Sequence, residues 1–139
     1  MLIAAALTAL AVTAAAPAAR AGTRERMIRK INDVRSWSHR RSLAFSGRLS
    51  RGAASWAHHL MRRNVLAHSG QAIRRGEGEV IEWHTGARAN VNQTVVEWLH
   101  STGHRHVMLS GRYHRAGAGR AVGDYGGRKC TIWVVRFAR

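Results

Sequence analysis

Residues 116–137, AGAGRAVGDYGGRKCTIWVVRF, decide the architecture. Two stretches of strand-forming character, AGAGRAVG and CTIWVVRF, flank Asp124-Tyr125-Gly126-Gly127, a turn-rich stretch suited to a hairpin. The second stretch is almost continuously apolar, which predicts a strand covered on both faces. Upstream, residues 24–40 place Met27, Ile28, Ile31, Val34 and Trp37 three or four apart among basic residues, the spacing of an amphipathic helix. Leu49, Ala53, Trp56, Ala57, Leu60 and Met61 predict a second helix ending at Asn64. Residues 65–77 have no sustained period and contain Gly70 and Gly76, so they read as a loop. Val80, Ile81 and Trp83 suggest a further strand, and Asn90 or Asn92 caps a third helix with Val91, Val95, Trp98 and Leu99 inward. Helices on both sides of a small antiparallel sheet, an α+β domain, satisfy this order. Trp37, Trp56, Trp98 and Trp133 are all expected in the core.

The chain has 139 residues, which suits one domain after a leader is removed. Residues 2–16 are apolar and Ala-rich, followed by Pro17 and the small-x-small triplet Ala19-Arg20-Ala21. That is the layout of a secretory signal peptide over 1–21, leaving a domain over 22–139; the apolar run is short of the roughly 20 residues that span a bilayer. A secreted, extracellular protein is therefore expected. Cys130 is the single cysteine, so no intrachain disulfide forms, and its apolar setting predicts a buried thiol.

Lys and Arg number 23 against 7 Asp and Glu, a formal charge of +16. Such an excess favours anionic partners, here a cell-wall polymer or a membrane surface. Specific nucleic-acid binding is not expected, because the sequence shows no recognised motif or basic platform studded with aromatic residues. A monomer is expected. Arg-rich, Lys-poor composition is equally what GC-rich coding produces, and that origin says nothing of the fold.

Three segments together resemble the CAP superfamily of cysteine-rich secretory, antigen 5 and pathogenesis-related 1 proteins, in particular its short bacterial secreted members. They are the helix pattern Leu49, Ala53, Ala57, Met61 followed by Leu66-Ala67-His68-Ser69; Gly78-Glu79-Val80-Ile81; and Val96-Glu97-Trp98-Leu99-His100-Ser101-Thr102-Gly103-His104-Arg105. Gly117-Ala118-Gly119 is similar to the element that opens the family's late strand. The resemblance implies a three-layer α-β-α sandwich with a cleft lined by two His and two acidic residues that holds a divalent metal such as zinc. By position His68, Glu79 and His104 match three of the four. The fourth position falls near Ser101, and Glu97 precedes Trp98, which sets it on another face of the helix.

Two imidazoles and a carboxylate are coherent zinc chemistry, the carboxylate serving as third ligand or orienting a bound water. His68, Glu79 and His104 read equally well as a hydrogen-bonded network without metal. A zinc-assisted hydrolase of peptide or wall substrates is the enzymatic alternative to a noncatalytic envelope domain. The sequence lacks a His-Glu-x-x-His element, so it gives the hydrolase no independent support. His100 and His104 are four apart, but Gly103 is expected to break the helix between them. His58, His59, His84, His106 and His114 read as ordinary surface residues.

Overall fold

The computed structural model describes residues 22–139; the leader expected over 1–21 lies outside the described residues. The elements in chain order are α1 (Thr23–Trp37), β1 (Ala44–Phe45), α2 (Gly47–Arg63), α3 (Gly70–Arg74), β2 (Gly78–Thr85), α4 (Val91–His100), α5 (Thr102–Leu109), β3 (Arg115–Tyr125) and β4 (Arg128–Ala138). The hairpin is β3–β4, and Gly126 and Gly127 at φ 63° and 77° supply the two left-handed residues that a tight turn of this hand requires.

The sheet runs β1-β3-β4-β2, so β4 is central and β2 is an edge. The three long strands pair antiparallel, as expected; the two-residue β1 adds a short parallel pairing to β3 and makes the sheet mixed. β4 is buried from Cys130 to Phe137, the two-faced burial its sequence predicts. Trp98, Val95 and Met108 of α4 and α5 pack with Met27 and Ile31 of α1 against Val80, Trp133, Val135 and Phe137 on one face. On the other face, Ala53, Ala57 and Leu60 of α2 cover Ala121, Ile132 and Val134. The result is an α-β-α sandwich.

The small residues of α2 and β3 set how closely these layers approach. A Cβ on Gly117 would strike the backbone of Leu49 and Ser50, and one on Gly119 that of Ala53 and Ala54. Only glycine lets the helix lie this near the strand.

Four expectations change. Trp37 is 74% exposed, under the ammonium of Lys30, rather than in the core. It follows Ile31 by six positions, about 240° around a helix, so it falls off the inward stripe. Arg35, four after Ile31, takes the inward place and donates to the carbonyls of Arg41, Met108 and Ser110. His84 is buried rather than superficial, because β2 turns it toward α4, where Nε2 lies 2.8 Å from the Thr94 hydroxyl. The 65–77 loop holds α3, whose first turn is capped by the Ser69 hydroxyl accepting from the Ala72 amide. The break between His100 and His104 falls at Ser101, which is extended, while Gly103 lies within α5.

Candidate functional site

Glu79 is the anchor. Strand alternation on β2 turns it toward the α2 face, and register pairing sets it opposite Arg136 of β4. Its carboxylate is almost wholly buried. One oxygen accepts from the Ser69 amide at 2.9 Å and from His68 Nδ1 at 3.0 Å; the other accepts from Arg136 Nε at 3.2 Å. A buried carboxylate needs such partners to stay charged. The consequence is a His68 ring fixed in orientation through Nδ1, on a side chain still half exposed.

Arg136 binds a second carboxylate more loosely, with Glu77 at 4.0 Å, and Glu77 also accepts from Arg48 at 3.0 Å. The loop that delivers His68 is tied from behind, since the Trp56 indole donates to the Ala67 carbonyl at 2.9 Å.

His104 comes from the opposite side, on α5, which packs against the β2 edge. It is partly buried, and burial pulls its pKa below the usual histidine value; Glu82 opposes this by favouring the charged ring, and the nearby His68 adds to the lowering. His68 and His104 are thus electrostatic neighbours on the two flanks of β2. The structure brings His68 directly onto Glu79 and sets His104 near His68 and Glu82 rather than on Glu79.

Glu82 is the acidic residue that the sequence reading passed over. It stands three positions after Glu79 on a strand and therefore on the other face, which hides it from any motif built on one side. Glu97 keeps away from the cleft, as its position on α4 predicts: it accepts from Gln93 and lies 3.6 Å from His84. His100 directs its Nδ1 to the Val96 carbonyl, within its own helix. Arg136, a lone arginine inside an apolar strand, signals the need for a polar partner but not which one.

Among the described residues, no group of three or more His, Cys, Asp or Glu side chains is gathered closely enough to hold a metal ion. Glu79 stands behind His68, in the supporting position such carboxylates take toward a ligating imidazole, with its charge already met by Arg136 and the Ser69 amide. Of the three residues singled out in the sequence, Glu79 is thus engaged by protein groups, while His68 and His104 come from either side of β2. Among the described residues no helix is long and apolar enough to cross a membrane.

Comparison with known proteins accords with this geometry. The description "Cysteine-rich secretory protein family", CAP, matches residues 28–137. No curated protein matches the chain by sequence. Among solved structures, an extracellular protein containing an SCP domain from Bacillus anthracis is 21% identical at a TM-score of 0.65; the match covers 84% of this chain and 40% of that one, so this chain spans less than half of it. An outer surface protein from Borrelia burgdorferi is 16% identical, with a TM-score of 0.61 and coverage of 83% and 91%. NaASP2, in a structure with Zn2+, is 17% identical, with a TM-score of 0.62 and coverage of 84% and 78%. At these identities the likeness is one of fold.

Proposed function

The chain belongs to the cysteine-rich secretory protein (CAP) family, and on that premise we propose that it works outside the cell as a noncatalytic binding domain whose cleft receives a divalent ion or small ligand between His68 and His104. One observation carries this reading: Glu79 clamps the half-exposed His68 ring through Nδ1, near a second imidazole, His104, whose charged form burial disfavours. Neutral imidazoles with a free ring nitrogen are ligands for borderline metals such as zinc. A bound zinc would be held by His68 and His104 and would offer a Lewis-acidic position to a further ligand.

The extracellular setting is supported by the signal-peptide layout of residues 1–21 and by fold neighbours described as extracellular or outer-surface proteins. The net charge of +16 supports an anionic cell-wall polymer or membrane surface as the larger partner. The hydrolase alternative loses ground, because both oxygens of the buried Glu79 carboxylate are already engaged by His68, Ser69 and Arg136 rather than turned to a water.

The test is calorimetric titration of zinc into the purified protein beside a His68→Ala, His104→Ala double variant near neutral pH. One zinc per chain, lost in the double variant, is the expected result. No binding to the wild type, or equal binding to both, overturns the proposal and makes His68 and Glu79 a structural pair.

A further inference from the structure

Where β3 begins and β4 ends, five arginines from four segments surround an open hollow of about 490 Å³. Arg48 comes from the first turn of α2, Arg75 from just past α3, Arg112 and Arg115 from the approach to β3 and its first residue, and Arg139 from beyond β4. The topology forces this meeting. Register pairing sets Arg115 against Ala138, and Gly76, at φ 64°, turns the chain from α3 into β2 so that Arg75 and Glu77 border the same space.

Glu77 is the one acidic side chain in the lining, and it is already engaged by Arg48 at 3.0 Å, with Arg136 beyond. Arg115 is held by the Arg139 main-chain oxygen, to which its Nε donates at 3.1 Å and a terminal guanidinium nitrogen donates as well. Among the described residues, Arg75 and Arg112 make no ion pair; Arg112 lies over the Tyr113 ring, which aims the guanidinium without neutralising it. The α2 N-terminus adds its own partial positive charge, with no acidic residue in the first turn to offset it. Guanidinium groups gathered this way repel one another, and a bound anion relieves that repulsion.

We infer that this hollow is a binding site for a ligand carrying clustered phosphate groups. The planar forks of Arg75 and Arg112 match phosphate oxygens two at a time, and Arg139 supplies further charge for a second phosphoryl group. A single monoanion would leave most of that charge unmet, and the hollow has room for linked groups. None of its lining residues belongs to the His68–His104 cleft, so the two sites stand or fall separately.

The experiment is calorimetric titration of inorganic triphosphate into the purified protein at a fixed ionic strength of about 0.15 M, where long-range attraction is largely screened. Two double variants with equal charge loss are compared: Arg75→Gln, Arg112→Gln at the hollow, and Arg62→Gln, Arg63→Gln at the far end of α2, about 20 Å away by helix rise. Saturable binding to the wild type, weakened about tenfold or more by the first pair and less than about twofold by the second, is expected for fork-type contacts. Equal weakening by both pairs, or no saturable binding, overturns the assignment, since the effect would then be one of net charge. Cosedimentation with phosphatidylcholine vesicles, with and without phosphatidic acid, distinguishes the source. Retention that needs both phosphatidic acid and the two arginines places the phosphates on a lipid headgroup; triphosphate binding without such retention makes the ligand a soluble one.

Discussion

Glu79 and Arg136 face each other as register partners across the β2–β4 ladder, their charged groups 3.2 Å apart and both side chains almost completely out of water. The pair joins the sheet to the cleft, because the same carboxylate orients His68. Arg136→Met leaves the Glu79 charge buried without its counter-ion, and losing one member of such a pair costs about 3–5 kcal/mol. Urea denaturation checks this. Adding Glu79→Gln restores much of the loss, since a neutral amide no longer requires the guanidinium. A cost for Arg136→Met below about 1 kcal/mol would mean that water or Arg48 compensates.

Gly119 and Gly103 respond oppositely to alanine. At Gly119 the new methyl meets the backbone of Ala53 and Ala54, which cannot swing aside as a side chain can, so α2 must lift from β3. The loss exceeds the roughly 1–3 kcal/mol of ordinary overpacking. Gly103 lies in α5 with nothing within 4 Å of its added Cβ, and alanine there stabilises by about 0.5–1 kcal/mol through helix propensity. Thermal and chemical denaturation of the two variants must move in opposite directions.

The tryptophans separate by burial and not by kind. Trp98 is fully buried and donates to the Ile81 carbonyl at 3.1 Å, so Trp98→Ala removes a core filler and costs about 3–5 kcal/mol. Trp37→Ala removes an exposed ring and its contact with Lys30, with an effect within about 0.5 kcal/mol. A large loss at Trp37 would show that this face is covered in solution.

What the sequence carried well were features with long periods or special backbone needs. The eleven-residue strands of the hairpin, its Gly126-Gly127 turn and the α2 stripe each repeat a signal several times. The α3 helix has five residues, too few for a period to show, and its Ser69 cap lies in a segment that reads as loop. On β2, an edge strand, neither face is continuously apolar, so the inward turn of His84 and the placement of Glu82 were hidden. His68 and Glu79 were found because the family motif spaces them by eleven residues. Arg136 was missed because charge pairing across a ladder depends on register, which the sequence does not state.

His104 links the cleft to pH. Its pKa in the folded protein lies below the usual value of 6.5, because burial penalises the charged ring. The folded state therefore binds fewer protons on this residue than the unfolded chain does, and stability rises with pH where the two differ. The contribution is fully present above about pH 6.5 and is lost as pH falls through the lower, folded pKa. In chelator-treated protein, His104→Asn, which cannot titrate, is expected to flatten the acid-side decline in unfolding free energy between neutral pH and about pH 5. Glu82→Gln acts the other way: it removes the charge that favours protonated His104, pushes the folded pKa lower still, and deepens the acid loss. Urea denaturation at several pH values, with wild type and both variants side by side, reads the slopes directly. Parallel slopes in all three would mean that the ring is as well solvated in the folded protein as in the unfolded chain, and that the cleft exposes two ordinary histidines.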